Sequence, residues 1–301
     1  MATTAHDVRS ALEDSALLLV VDFPQEELRF MEFCSALGTV MPKLSATGGS
    51  TINELIGDVR YRPDIPESLR LPTQSCGPLT FHTARACSAV RPSIFVMWKV
   101  CQGWDPVQEG LSGRSLFLTW DTVVPAFIDA ATAHNEDLTL LTQTKVSYRP
   151  KYMREPPAHE PLLNDAGDGR WFARYWEGIA GRNHPTIETS NANRYMKALK
   201  HFDDFIHSSE CPITECALQT GDVAIMDNRR VAHGRRAFLG SRSDVRGRTD
   251  VNPRRILSAH IASLICGRGT QVAPVHSQPK CGTRSDQPVD ANEEQRDGTT
   301  F

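Results

Sequence analysis

The chain has 301 residues, 40% of them hydrophobic and 23% charged, with a formal net charge of -3. That composition suits a globular domain and gives no reason to expect a nucleic-acid polymer or an anionic membrane as partner. The longest apolar run near the start, "ALLLVV" (16–21), is too short to span a bilayer and follows no basic segment, so a cytoplasmic protein is expected.

The elements can be read in chain order. "AHDVRSALEDS" (5–15) predicts an amphipathic helix, "ALLLVVDF" a strand, and "PQEELRFMEFCSALG" a second helix closed by Gly38. "STINELIGDVRYRPD" (50–64) reads as extended chain. "PSIFVMWKVCQ" and "RSLFLTW" are β-branched and aromatic runs separated by the loop 103–113, and predict strands. A helix is expected over "TVVPAFIDAATAH" (122–134), then strands over "LTLLTQTKVSYRP" (138–150) and "RWFARYWEG" (170–178). Tyr195, Met196, Leu199, Phe202, Phe205 and Ile206 recur at helical spacing. "ECALQTGDVAIMDNRRVAHG" (215–234) predicts strand, turn and strand, and "RRILSAHIASLI" (254–265) a last strand.

Two segments are rich in turn formers and poor in apolar residues. One is 239–253, "LGSRSDVRGRTDVNP", read as a mobile loop whose Arg242, Arg246 and Arg248 are candidates for an anionic group. The other is the tail 268–301, expected to be disordered. The eight cysteines form no CxxC pair, so reduced thiols, most of them core residues, are expected. Short strands with helices between them, and neither GxGxxG nor a phosphate loop, predict a mainly β fold with flanking helices. The expectation is one double-stranded β-helix (a cupin-like jelly roll) over 1–267, with its core about 75–265.

The most informative stretch is "GDVAIMDNRRVAHGRR", which projects His233 from a strand end beside Gly234, a glycine that would let a ligand approach. Asp227 and Asn228 are read as turn formers. Trp98, Trp104 and Trp120 are read as core or pocket wall. A second histidine, His82, lies in "FHTARAC", where Ala84 stands two residues further on. Arg85 and Arg235 flank these histidines closely and are candidates to neutralise an acid or a halide.

Taken together, "DNRRVAHGR", "FHTARACSAVRPSIFVMWKVCQG", "LSGRSLFLTWDTVVPAF", "ARYWEGIAGR" and "RRILSAHIA" resemble, in order, the taurine dioxygenase-like and clavaminate synthase-like Fe(II)/2-oxoglutarate oxygenases. The resemblance implies Fe(II), 2-oxoglutarate and O2 as cofactors and a small-molecule substrate. It makes His82 and His233 the metal ligands, and Ser115 with Arg255, or the adjacent Arg254, the 2-oxoglutarate site. In that family the residue two after the first histidine is normally Asp or Glu, the third member of a facial triad. Ala84 removes a negative charge and an oxygen ligand, and leaves a methyl-sized gap that a chloride ion would fill, as in the family's halogenases.

The leading expectation is therefore a halogenase acting on an unactivated C–H bond. The alternatives are a hydroxylase, desaturase or cyclase whose iron shell is completed otherwise, and a non-catalytic ligand-binding member of the fold. The residues leave open a free or carrier-tethered substrate, and a homo-oligomer.

Overall fold

The computed structural model describes residues 5–43, 52–106, 109–130, 135–148, 156–176, 179–180, 185–187 and 191–262. The tail expected to be disordered lies outside the described residues.

In chain order, α1 (Ala5–Asp14), β1 (Leu17–Val20), α2 (Glu27–Leu37) and β2 (Thr39–Val40) precede a one-turn helix α3 (Ile52–Leu55). Next come β3 (Ile56–Arg60), β4 (Leu79–His82), β5 (Ile94–Cys101), β6 (Ser115–Thr119), α4 (Trp120–Asp129) and α5 (Asn135–Gln143). Short strands β7 (Val146–Ser147), β8 (His159–Glu160), β9 (Leu163–Gly167) and β10 (Arg170–Ala173) lead to α6 (Ala192–Ile206). The chain then forms β11 (Thr214–Cys216), β12 (Val223–Asp227), β13 (Val231–Arg235), β14 (Ser241–Ser243), β15 (Thr249–Val251) and β16 (Arg255–Ala262).

Two antiparallel sheets dominate. One runs β1-β12-β5-β16-β2, with β3 also pairing β16; the other runs β11-β6-β13-β4. Strand alternation sorts the side chains between them. On β5, Ile94, Val96 and Trp98 face α1 and α2, where they pack with Phe30, Cys34 and Leu37. The alternate residues Phe95 and Met97 turn inward and meet Phe117, Met226, Val231 and Ile256 between the sheets. On the second sheet Leu116, Leu118 and Ala232 face outward to α4 and α6, burying Trp120, Phe127 and Phe202. Each such large apolar side chain contributes roughly 1.5–3 kcal/mol by leaving water. Helices thus cap both outer faces, and polar residues on the inward register share the space between the sheets with these apolar ones. Trp98 and Trp120 belong to the core, as expected.

Three predicted elements differ. Of the strand expected over 138–150, only Val146–Ser147 is strand, as β7, and "LTLLTQ" forms the C-terminal part of α5 instead. Glu136 and Asp137 stand in its first turn, where they favour the positive helix end, and Leu141 packs into the core shared with α6. The segment read as extended before residue 56 begins with α3. The loop 239–253 contains a hairpin, β14 against β15. Its turn closes through Asp244 Oδ1, which accepts the backbone N–H groups of Arg246 and Arg248 at 2.8 Å each, with Gly247 at φ 74°. No helix among the described residues is long and apolar enough to cross a membrane.

Candidate functional site

His82 ends β4 and His233 is the central residue of β13, and the two are direct partners across the antiparallel ladder. Neighbouring strands hold such partners on one face, so both imidazoles turn to the inter-sheet space, with ring centroids 4.3 Å apart. Gly234 is needed for this pairing: a Cβ there would lie 2.8 Å from the Leu79 carbonyl oxygen. The glycine therefore serves the approach of β4, and it also stands in the lining of the cavity described below.

The residues after His82 are held in a turn. Asn228 accepts the Ala84 N–H at 2.7 Å and donates to the Ala84 and Pro92 carbonyls at 2.9 Å each. Arg174, in the "ARYWEG" stretch, donates to the carbonyls of Ala86 (2.9 Å) and Ser88 (2.7 Å) and is itself held by Glu160. Arg85 follows at φ 55°, in the left-handed region that most side chains avoid. Asn228 and Arg174 are therefore positioning residues for the turn. The sequence marked Asn228 only as a turn former and did not single out Arg174.

A cavity of about 410 Å³ opens over this pair. His82, Ala84, Arg85, Ser115, His233, Arg235 and Arg254 all line it, so the structure brings together seven of the eight candidate site residues. The eighth, Arg255, which the sequence favoured over Arg254 as the 2-oxoglutarate partner, is not in the lining. Alternation along the strand turns Arg254 and Ile256 inward and Arg255 outward, where it pairs with Asp58 at 3.1 Å and Glu27 at 2.9 Å. Arg242, Arg246 and Arg248 are likewise absent from the lining: Arg242 lies over Trp104 at 4.3 Å, and Arg248 is bound to Asp244.

Electrostatics mark two sets of groups. His233 is buried and uncharged: burial, then the neighbouring His82 and His260, press its pKa well below the usual value. Its Nδ1 has no hydrogen-bond partner among the described residues. His82 Nδ1 lies 2.9 Å from the Thr80 carbonyl; as a donor there it fixes Nε2 as the lone-pair nitrogen. Two imidazoles set side by side fit a divalent metal. Among the described residues, however, no group of three or more His, Cys, Asp or Glu side chains is arranged to hold one. Ala84, buried on the cavity wall, supplies nothing at the place of a third ligand.

The second set is cationic. Arg254 is buried, donates once to the Gly113 carbonyl at 3.1 Å, and leaves Nε and Nη1 without partners among the described residues. Gly113, at φ 62°, lets the chain pass this close. Arg235 donates to the Ser75 and Gly77 carbonyls and also leaves Nε and Nη1 unpartnered. The two guanidiniums flank Phe238, at 5.1 and 4.8 Å from its ring. Burial first, then Arg235, pulls the Arg254 pKa to about 9. Buried donors without an acceptor are costly, and a carboxylate satisfies a guanidinium fork bidentately. With Ser115 buried on the same wall, this end fits a carboxylate ligand.

Sequence reasoning did not single out Lys99 or His260. Both lie on inward registers, Lys99 with Phe95 and Met97 on β5, His260 with Arg254 and Ile256 on β16, and that alternation was the available signal. Lys99 is buried, and its pKa falls to about 6, through burial first and then Arg254. Its unfolded value is near ~10.4. The unfolded chain therefore holds the extra proton between those limits, and stability rises with pH inside that window. Between pH 7 and 8 the ligand-free protein should gain on the order of 1.4 kcal/mol from this group. Lys99→Met should abolish the slope and raise the thermal midpoint at pH 7; a slope that persists in the variant contradicts this assignment.

Residues 2–249 match the family model described as "Taurine catabolism dioxygenase TauD, TfdA family". Among solved structures, asparagine oxygenase in complex with Fe(II), 2S,3S-3-hydroxyasparagine and succinate aligns at TM-score 0.56 and 18% identity, over 86% of this chain and 78% of that one. OrfP, a non-heme iron oxygenase bound to Fe and alpha-ketoglutaric acid, aligns at 0.56 and 16% identity, over 86% and 79%. PvcB from Pseudomonas aeruginosa aligns at 0.54 and 16% identity, over 85% and 79%. Identities this low establish a common fold, the jelly roll expected from the sequence. No curated protein sequence matches the chain. The match over residues 2–249 and the shared fold together place this chain in the TauD/TfdA family of Fe(II)/2-oxoglutarate-dependent oxygenases, as an oxidoreductase.

Proposed function

We propose that this oxygenase halogenates an unactivated C–H bond of a small molecule. His82 and His233 are the protein ligands to Fe(II), Arg254 with Ser115 receives the distal carboxylate of 2-oxoglutarate, and a chloride ion takes the place facing Ala84. The observation that carries this reading is Ala84 itself, on the cavity wall beside the histidine pair, with no third metal-binding side chain grouped with them among the described residues. When bound, Fe(II) with 2-oxoglutarate and O2 supplies the oxidising power that removes a hydrogen atom from the substrate.

The residues of the chain have simpler tasks. The two imidazoles offer nitrogen lone pairs, and the Thr80 carbonyl orients that of His82. Asn228 fixes the Ala84 backbone, so the gap beside the histidines keeps its shape. A halide restores the negative charge that a carboxylate would have supplied, and the methyl group of Ala84 leaves it room. Arg85 and Arg235, both in the lining, add positive potential that favours an anion there.

A second reading is hydroxylation with water or another group completing the iron shell. It is favoured by the solved relatives, since asparagine oxygenase carries 3-hydroxyasparagine and OrfP has been seen with (3S)-hydroxy-L-Arg. The two readings separate by titration and by product. Under anaerobic conditions with Fe(II), chloride should tighten 2-oxoglutarate binding, by roughly tenfold for a coupling of the usual size. Ala84→Asp should remove that effect, and mass spectrometry should find chlorinated product with the parent protein alone. Hydroxylated product with no chloride effect would overturn the halogenase reading in favour of the second.

A further inference from the structure

We infer that the substrate is itself an anion, a carboxylate or phosphate on a mainly apolar body, and that Lys43, Arg85 and His260 receive its charged end. This rests on the oxygenase reading of the same cavity. Its lining carries Lys43, Arg85, Arg235 and Arg254 as cations and Asp58 as its carboxylate among the described residues. Asp58 is already held by Arg255 at 3.1 Å and Arg60 at 3.3 Å. A cationic substrate would thus enter a positive cavity and meet no available acid. An anionic one gains from the field and from direct hydrogen bonds.

The cations stand at two ends. Arg254 and Arg235 share one end, around Phe238. His260 lines the cavity with Ile256 on β16. It lies six residues beyond Arg254, which immediately precedes the strand, and six residues of extended chain cover about 20 Å. The 41–43 segment is tied to that far end, because the Met41 N–H donates to the His260 carbonyl at 2.7 Å. Arg85 reaches the same place, its guanidinium donating to the Pro42 carbonyl next to Lys43. Phe95 connects this end to the metal-binding pair, stacking on His233 at 4.5 Å and leaning on His260 at 5.1 Å.

One anion held at Arg254 does not span to Lys43. The far end therefore suits a second, separate anion, whose body would lie along the cavity over the histidines. Val59, Leu71, Met97 and Ile256 give that stretch an apolar lining. A free amino acid with a charged amine is disfavoured by the same inventory, because the amine would face cations.

The test is calorimetric titration of the full chain, loaded anaerobically with Fe(II) and 2-oxoglutarate, using hexanoate, hexyl phosphate and hexanamide as probes. One of the two anions should bind at least about tenfold more tightly than the neutral amide, and the tighter one identifies carboxylate or phosphate. Lys43→Met should reduce that preference at least severalfold while 2-oxoglutarate affinity stays within about twofold. Should that variant fail to fold, Lys43→Gln should reduce it in the same way. Equal binding of amide and anions, no binding of any probe, or a preference that survives in the variants would overturn the inference. Failure to bind Fe(II) and 2-oxoglutarate at the loading step would instead overturn the oxygenase reading beneath it.

Discussion

His233→Ala is expected to lower Fe(II) affinity by well over about a hundredfold and to abolish 2-oxoglutarate turnover, since loss of a group that merely hydrogen-bonds to a metal ligand costs ~10–100-fold. His233 is one of two imidazoles facing each other across a strand pair, it is uncharged, and its Nδ1 makes no hydrogen bond among the described residues. On the proposed assignment, its removal leaves His82 as the single nitrogen ligand. Packing loss should cost no more than the ~0.5–3 kcal/mol of an ordinary substitution, so folded variant should be recoverable. His260→Ala is the control. That residue also lines the cavity and is kept neutral by burial, with a pKa of about 3. It lies against the other histidines through Phe95, outside any metal-binding group, so iron affinity should change little. Binding is read by anaerobic titration with Fe(II). Equal losses in both variants would contradict the assignment of ligands.

The second large effect concerns two adjacent arginines. Arg254→Met should weaken 2-oxoglutarate binding by the ~2–5 kcal/mol typical of a buried, hydrogen-bonded charge pair, roughly 30- to several-thousand-fold. Arg255→Met should leave it within a few fold, because that side chain is spent on Asp58 and Glu27. Arg255→Met should instead lower stability by no more than about 1 kcal/mol, as is usual for partly exposed ion pairs. The opposite pattern, with affinity lost at Arg255 and kept at Arg254, would restore the assignment drawn from sequence alone. Arg254→Met has a second consequence. It removes a buried cation that depresses Lys99, so the pH window of Lys99 should move upward.

These two arginines show where sequence ran out. The motif fixed the segment, but two consecutive arginines before a strand differ only in which face they occupy, and a single residue of register decides it. The insertion preceding them hides that register, because a polar stretch rich in turn formers gives no local sign of the β14–β15 hairpin. His82 and His233 were legible for the opposite reason: each sits in a distinctive local pattern, and the pairing of β4 with β13 then brings them together. The strands β5, β6, β12 and β16 were legible from their β-branched and aromatic runs. "LTLLTQT" was not, since a short apolar run suits either element and only packing against α6 settles it. His260 and Lys43 were illegible because nothing local distinguishes them; their meaning comes from the sheet face and from the segment tied to it.

The site at Ala84 remains the centre of the functional account, and X-ray absorption at the iron edge tests it most directly. The protein would be loaded anaerobically with Fe(II) and 2-oxoglutarate in the presence of bromide, a heavier stand-in for chloride. A bromine scatterer bound to iron is expected in the parent protein and should be absent in Ala84→Asp. An iron shell of nitrogen and oxygen alone at saturating bromide would contradict it.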